Sequence, residues 1–557
     1  MPLDSNIDKL QNLLSRLQEK IAAEYQPATG SAPSCTLFFS FTDTKQRATV
    51  FTVSAANLRD AWRAGVEKLR QKTVKTGVKP AWIRVDWVEN AEKIDWKTLK
   101  SRLKSTKRNY FRHSLALDRH FRTAFLETEL NANAMLYGGP KISHAIVNEA
   151  NFLRYAKLRH GIEQISFDDD APLIQFSTRA VFGTLDSEKT YLINGVGRNA
   201  GRREVTHLQP DQIETLIEDG SQFLASQVKE NGRFIYGWHP CFDREIKAYN
   251  SLRHASTLYS MIEAWEITQN MQLKSAIDRG LDYLTTSLIQ TVKHNGQEIA
   301  VLVDANNEVK LGGNAVCLLA LVKYSEVTGS DKYLGLLEKL ALAILYMQDR
   351  ETGKFVHVLN FPDLTVKEEF RIIYYDGEAA FGLMRLYGLT RDRRWLEAVE
   401  RGYSYFIAAD HWQAHDHWLA YATNELTRYH PRQEYFEFGI KNFADYLDFV
   451  ANRITTFPTL LELMMAAEQM VQRLQNDETF AALLAAVDLE KFYSALEKRA
   501  HYLLNGHFWP ELAMFYANPQ RIRGSFFIRH HAFRIRIDDV EHYLSGLVAY
   551  LKYRKRQ

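Results

Sequence analysis

The chain has little cysteine, no long apolar run and almost no excess charge, and each absence narrows its possible functions. Three cysteines among 557 residues are an odd number, so we expect a reducing compartment and no disulfide framework. No stretch of about 18 apolar residues is present, so no membrane span is expected. A formal net charge of +3 gives no argument for nucleic acid as the main partner. The N-terminal segment lacks the apolar centre of a signal peptide, so we predict a cytoplasmic location.

The motifs of several common enzyme classes are also missing. The sequence has no Walker motif, no GxGxxG after a strand, no GxSxG elbow and no zinc-ligand spacing. Nucleotide, nicotinamide and serine-hydrolase chemistry are therefore disfavoured, and we expect neither a cofactor nor a metal site.

The chain is too long for one ordinary domain, and its composition is that of a globular protein. We predict an N-terminal helix and linker over residues 1–34, then a separate α/β or α+β domain over 35–205. Strand-like runs in that domain are 36–42, 48–54, 81–89, 172–178 and 189–195. Residues 206–557 are mostly helical.

The helical part repeats one unit six times, in which an amphipathic outer helix is followed by an inner helix rich in small residues. The outer helices are predicted at 209–228, 272–290, 331–349, 392–409, 433–451 and 489–505. The inner helices open at 249–257, 312–321, 374–383, 415–425, 457–467 and 538–547. Six such hairpins can close into a ring with the small-residue helices inside, so the fold class is mostly α, an (α/α)6 toroid.

Several turns and loop openings resemble those of six-hairpin proteins that act on glycans. They are VTGSDKYLGLLEKLA, LTRDRRWLEAVERG, YNSLRH and YYDGEA, within about Gln209–Tyr553. The family includes N-acylglucosamine epimerase-like enzymes, unsaturated glucuronyl hydrolases and the helical domains of uronate lyases and glucuronyl epimerases. The resemblance implies the toroid and a carbohydrate ligand, while the same fold hosts several chemistries. In such rings the inner-helix N-termini meet at one mouth, where their dipoles favour an anionic ligand.

The loop before the first inner helix carries a group suited to proton abstraction. Tyr249 and Arg253 share one helix face, as do Asn250 and His254. Tyr249 or His254 would take a proton beside a carboxylate that Arg253 neutralises. The alternative makes Asn250 an N-cap and His254 a core histidine. Candidate substrate-binding residues on this stretch are Trp238, His239 and Arg253.

The third inner helix opens with YYDGE, which offers two carboxylates. Asp376 suits an N-cap, whereas Glu378 can face the cavity. Tyr375 beside them could stack on a sugar ring. We predict that one of the two carboxylates lies in the site.

The stretch before the sixth inner helix, RIRGSFFIRHHAFRIRIDDVEH, combines five arginines with two aspartates. Arginine presents a planar fork that suits carboxylate, phosphate or sulfate. We expect Asp539 to be the N-cap and Asp538 or His542 to turn inward. The alternative is a strand hairpin packed by Arg–Asp ion pairs. The candidates taken from this stretch are Arg534, Arg536, Asp538, Asp539 and His542.

Two weaker candidates lie on the second and fourth inner helices. Asn314 follows Gly312 and Gly313, which suit a tight turn, although Asn314 could equally be a cap. Asn424 adjoins Glu425. The fifth entrance, TTFPT, is almost bare of chemistry.

These observations favour an enzyme acting on an acidic saccharide. Paired carboxylates, Glu378 or Asp376 opposite Asp538 or Asp539, would hydrolyse a glycosidic bond. The first alternative is an epimerase or lyase that uses Tyr249, His254 and Arg253 on a uronate. The others are an enzyme acting on a peptide or amino-acid derivative, and a non-catalytic scaffold in a biosynthetic complex. The scaffold would dock a protein partner on the basic run at 97–122, which otherwise reads as a solvated helix face.

Overall fold

The computed structural model describes residues 2–33 and 35–557, with side chains from residue 8 onward. Ser34, the last residue of the predicted linker, lies outside the described residues. The described chain divides into two compact units. The first unit comprises 1–207, 238–245 and 505–535, and the second unit comprises 208–237, 246–504 and 536–557.

The first unit is built on an eight-stranded sheet that is antiparallel except at one edge pairing, which makes it an α+β structure. The strands are Thr29–Gly30, Cys35–Thr42, Thr49–Ala55, Trp82–Asp95, Ser114–Ala116, Ala124–Phe125, Pro172–Thr184 and Thr190–Ile193. The helices of this unit are Pro2–Glu24, Leu58–Thr76, Trp96–Lys104, Glu127–Ala132, Glu149–His160, Pro510–Ala513 and Pro519–Ile522. The N-terminal helix packs on the sheet through Leu13, Leu17 and Ile21, which are fully buried.

Buried arginines tie the late segment 505–535 into the first unit. Arg203 forms an ion pair with Glu511 at 2.7 Å, and its guanidinium lies 3.6 Å from the ring centroid of Tyr191. Arg84 pairs with Asp86 at 2.7 Å and also donates to the Glu511 carbonyl. Because a buried charge is costly without a partner, these contacts hold the segment in place.

The second unit consists of six helical hairpins. The outer helices are Pro210–Gln227, Met271–Tyr283, Leu334–Tyr346, Arg393–Ala408, Gln433–Lys441 and Leu489–Leu503. The inner helices, first to sixth, are Ser251–Thr268, Leu311–Thr328, Tyr374–Thr390, His417–Tyr429, Thr459–Gln475 and Ile537–Arg554. A short helix, Leu447–Asn452, follows the fifth outer helix, and two antiparallel strands, Ile289–His294 and Gln297–Asp304, precede the second inner helix. Among the described residues, no helix is long and apolar enough to cross a membrane.

The inner helices form a closed ring. Each packs against the next, and the sixth packs against the first. Small residues make this possible: Ala255, Ala315, Ala379 and Ala422 are fully buried. The (α/α)6 toroid predicted from the sequence is therefore confirmed by the packing of the chain's own helices.

Gly377 marks the closest approach between the third and fourth inner helices. A Cβ atom there would lie 2.6 Å from the Leu419 amide nitrogen and 2.7 Å from the Trp418 Cβ. We expect Gly377→Ala to destabilise the protein by about 1–3 kcal/mol, because backbone would have to move. The check is the thermal unfolding midpoint. Gly335→Ala, where a Cβ meets nothing within 4 Å, is the control and should leave the midpoint unchanged or slightly raised. Equal midpoints for the two variants would contradict the packing described here.

Candidate active site

The six inner helices run in parallel, so their N-terminal turns meet at one mouth of the ring. At that mouth Arg253 of the first helix pairs with Asp538 of the sixth at 2.9 Å, and His542 pairs with Glu462 of the fifth at 2.8 Å. At the opposite end, Lys323 and Lys552 both reach Glu266, at 3.0 and 2.8 Å. The two ends therefore have separate chemistry.

A cluster of acidic side chains and two histidines occupies the N-terminal mouth. We call it the acidic cluster; its members are Glu378, Asp416, His417, Glu462, Glu541 and His542. The four carboxylates are each at most 7% exposed. Because they lie in or beside the first turns of helices, the helix dipoles partly offset the cost of burying them. The chain's own carboxylates thus already occupy the positions where the sequence analysis expected an anionic ligand.

Glu378 is the carboxylate without an ion pair in this cluster. Its Oε2 is buried and has no hydrogen-bond partner among the described residues. Burial, reinforced by Asp416 and Glu541, raises the pKa of Glu378 well above its usual value. Gly312 makes room for this side chain, because a Cβ there would lie 1.8 Å from Oε2. The surroundings favour a protonated Glu378, which is the form that can donate a proton.

Glu541 and His542 have opposite charge preferences although they are adjacent. Burial raises the pKa of Glu541 to about 8, and its Oε2 accepts hydrogen bonds from Ser256 and Thr257. Burial alone would lower the pKa of His542, but Glu462 and Glu541 outweigh it and raise that pKa to about 10. Near neutral pH the cluster therefore holds a neutral Glu541 beside a charged His542.

Asp416 and His417 form a carboxylate–imidazole pair. The Asp416 Oδ1 lies 3.1 Å from the His417 Nδ1, while its Oδ2 accepts from the Leu419 amide. The His417 Nε2 is buried and has no partner among the described residues. The Asp416 Oδ1 is likewise buried without a hydrogen-bond partner among the described residues, so the two side chains are close without being hydrogen-bonded to each other.

Three members of the cluster have the donor chemistry of a metal site. His417, Glu462 and His542 each offer one ligand atom, and these atoms lie within 4.8 Å of one another. Two imidazoles and a carboxylate are ligands that Zn²⁺ accepts. The hydrogen bond between His542 and Glu462 already pairs two of the three, so the cluster is also satisfied as an ion pair.

Arg253 and Asp538 lie at the same mouth, within a small charge network. The Asp538 Oδ2 is 2.9 Å from the Arg253 Nε and 2.9 Å from the Arg536 Nη2, while Oδ1 is buried with no partner among the described residues. Burial and Asp539 raise the pKa of Asp538, and the two guanidiniums oppose that rise. Asp539 pairs with Arg536 at 2.9 Å. The expectation that Asp539 is the N-cap is wrong, because the helix begins at Ile537 and Arg536 holds the cap position.

Tyr249 and His254 bond to each other rather than facing a cavity. The Tyr249 hydroxyl lies 2.8 Å from the His254 Nδ1, and the His254 Nε2 lies 2.9 Å from the Gly280 carbonyl. His254 is fully buried, and burial lowers its pKa to about 4. Asn250 caps the helix through the Arg253 amide. This matches the alternative in which His254 is a core histidine.

Asp376 and Asn314 serve local structure in ways that the sequence analysis did not expect. Asp376 is not the N-cap, which is Ile373; it lies buried, 3.3 Å from the His357 Nε2. His357 in turn packs its ring 5.5 Å from that of Tyr375. Asn314 lies inside the second inner helix and accepts from the Leu302 amide.

The tight turn expected at Gly312 and Gly313 is wrong, because both residues are helical. Gly312 instead leaves the space that Glu378 fills.

The remaining candidates are not members of the acidic cluster. Asn424 is near the C-terminal end of its helix, where it contacts Gln469 and Arg473. Trp238, His239 and Arg534 belong to the first unit. There the Arg521 guanidinium lies 4.1 Å from the Trp238 ring centroid, and burial lowers the pKa of His239.

The sequence analysis did not select Asp416, His417, Glu462 or Glu541. Asp416 and His417 were visible in HDHW as a polar helix start. Glu462 lies one turn inside the fifth entrance, which was therefore wrongly described as bare. Nothing in the sequence marked Glu541 as a site residue, because a glutamate next to DDV is typical of an ordinary helix.

Glu541 should make stability depend on pH. Its pKa is raised from 4.5 to about 8 in the folded protein, so its contribution is fully present below about pH 4.5 and is lost as the pH rises through 8. We expect Glu541→Gln to flatten the fall of the unfolding midpoint between about pH 5 and 8, where one such group costs about 1 kcal/mol per pH unit. The control is Glu351→Gln on an exposed turn. Parallel pH curves for wild type and Glu541→Gln would show that Glu541 is not the titrating group.

Comparison by sequence gives no relatives. No protein-family model matches the chain, and no curated protein matches it.

Comparison by structure gives neighbours of the kind that the sequence resembles. A D-mannose isomerase shares 12% identity over 63% of this chain and 99% of its own, with a TM-score of 0.47. Cellobiose 2-epimerase from Bacillus thermoamylovorans B4167 shares 12% identity over 62% and 99%, with a TM-score of 0.48. An unsaturated glucuronyl hydrolase from Streptococcus agalactiae shares 12% identity over 63% and 94%, with a TM-score of 0.44. At this level of identity and TM-score, the similarities assign no activity to this chain.

Proposed function

We propose that the chain is a glycan-active enzyme that cleaves a glycosidic bond by acid–base catalysis at the N-terminal mouth of the ring. The observation that carries this proposal is Glu378, a buried carboxyl group with no ion pair and a pKa raised well above its usual value. A carboxylic acid kept protonated by its surroundings is the proton donor that glycoside hydrolysis requires.

In the proposed reaction two carboxyl groups have different roles. Protonated Glu378 donates its proton to the oxygen of the leaving sugar. Asp538, held by Arg253 and Arg536, activates the attacking water through its unpartnered Oδ1. Glu378 and Asp538 come from the third and sixth inner helices, so a sugar bound between them would lie across the mouth of the ring.

An acidic sugar would bind in only part of this mouth. The acidic cluster repels a carboxylate, so the acidic group of a uronate would be placed at Arg253 and Arg536. The Arg253 side chain is 32% exposed and that of Arg536 is 19% exposed, which leaves both within reach of a ligand. A neutral sugar would need neither arginine.

The second candidate is epimerisation or elimination at a carbon beside a carbonyl or carboxylate. The Asp416–His417 pair favours it, because the buried and unpartnered Nε2 of His417 is placed as a general base. Tyr249 and His254 support it less, since their polar atoms already bond to each other and to backbone.

Activity profiling on uronate-containing and neutral oligosaccharides tests the proposal. We expect Glu378→Gln to lower turnover by about 10²–10⁴-fold, the usual contribution of a general acid, and Asp538→Asn to lower it comparably. Glu425→Gln is the matched control, because this carboxylate is buried on the same ring but in the C-terminal half of its helix. Wild-type turnover in Glu378→Gln would rule out the proton-donor role.

The same assay separates the two candidates. Exchange of solvent deuterium into recovered sugar, lost in His417→Asn but retained in Glu378→Gln, would favour epimerisation. Saccharide binding without any turnover by the wild-type protein would favour a non-catalytic scaffold.

A further inference from the structure

A basic groove on the first unit has no role in the proposed reaction. The groove encloses a cavity of about 490 Å³. Its charged and titratable lining residues are Lys68, Lys72, His120, Arg122, Arg159 and His160. No acidic side chain lines it among the described residues.

Two of the lysines are held close together despite their like charge. Lys68 and Lys72 lie four residues apart on the helix Leu58–Thr76 and therefore share a face. Their ammonium groups lie 5.5 and 5.9 Å from the centroid of the same ring, that of Phe51. Burial is the main cause that lowers the pKa of both lysines, and the charge of the neighbouring Arg159 adds to this by repulsion. An anion in the groove would relieve it.

Arg159, which also lines the groove, has a side-chain nitrogen with no hydrogen-bond acceptor among the described residues. Its Nε bonds to Glu129 at 3.0 Å, and its side chain is 10% exposed. The Nη2 nitrogen is buried with no hydrogen-bond partner among the described residues. A buried guanidinium donor left unpaired is costly, so the Glu129 carboxylate satisfies only part of the donor capacity of this arginine.

The loop opposite the lysines is fixed in a strained conformation that presents a further cation. The Asp118 carboxylate accepts from the backbone amides of His120, Arg122 and Thr123. Phe121 between them adopts a φ of 57° with a fully buried ring. Arg122 is exposed. Neither Arg122 nor Lys72 forms an ion pair among the described residues. The loop therefore holds Arg122 at the groove without neutralising it.

We propose that this groove binds a small phosphorylated molecule. Of the four lysine and arginine side chains around this cavity, only Arg159 has an acidic partner among the described residues, so the groove calls for more than one negative charge; a phosphate monoester carries nearly two, with three acceptor oxygens. A single carboxylate carries only one. The cavity has the size of a small-molecule pocket, so a compact ligand is favoured over a polymer. Arginine and lysine together suit a phosphoryl group, because the guanidinium fork binds two oxygens and the ammonium acts as a point charge.

Calorimetric titration with pyrophosphate at fixed ionic strength tests the proposal on the full chain. We expect saturable binding, and we expect Lys72→Gln and Arg122→Gln each to weaken it about tenfold or more, since each removes a charge-assisted contact. Neither side chain forms an ion pair or a hydrogen bond among the described residues, and the only ring contact is that of Lys72 with Phe51, so both variants should fold. The matched control is Lys104→Gln, which removes an exposed lysine elsewhere on the same unit and should leave the affinity unchanged.

Glucuronate and a single-stranded oligonucleotide serve as competing probes. Binding of glucuronate as tight as that of pyrophosphate, or an oligonucleotide that binds more tightly, would overturn the assignment to a small phosphorylated ligand. Equal affinity in Lys72→Gln, Arg122→Gln and Lys104→Gln would show that only the general charge of the unit matters. These readouts do not depend on the saccharide reaction, so the two proposals fail separately.

Discussion

Closure of the inner ring is the constraint on which the second unit depends. The sixth inner helix must pack on the first, although almost 300 residues separate them in the chain, and Glu541 meets Ser256 and Thr257 at that seam. Parallel packing of six helices forces all the N-terminal turns to one mouth and all the C-terminal turns to the other. Small residues permit the close approach, and any charge on an inner helix is then confined with the charges of its neighbours.

The two mouths of the ring carry different sets of charged side chains. Carboxylates such as Glu378, Glu462 and Glu541 lie near the N-terminal turns, where the dipole is positive. Lys323, Arg385 and Lys552 lie near the C-terminal turns, where it is negative. The dipoles do not neutralise the acidic mouth, however. Burial is the main reason why the pKa values of Glu378 and Glu541 rise, and neighbouring carboxylates add to the rise, which leaves the mouth with carboxyl groups that can donate a proton.

The sequence predicted the helices better than it predicted the site. Helical periodicity and copied turns located all six hairpins, since both are local signals. Glu378, Asp538 and Arg253 were found because they stand beside helix starts. Glu462 and His417 were not, because they are 45 positions apart in sequence and come together only when the fourth and fifth inner helices pack against each other. Asp376 and Asp539 are not the N-caps that the sequence predicted. The Asp376 carboxylate lies beside the His357 imidazole instead, and the Asp539 carboxylate pairs with Arg536.

The first unit is completed late in synthesis. Its segment 505–535 follows most of the toroid in the chain, and 308 positions separate Arg203 from its partner Glu511. On the ribosome, therefore, the first 207 residues emerge without the acid that pairs with Arg203, and the first unit is not whole until residue 535 has been made. A gene cut at a single point cannot yield the two units as separate chains, because each unit is interrupted in sequence by segments of the other.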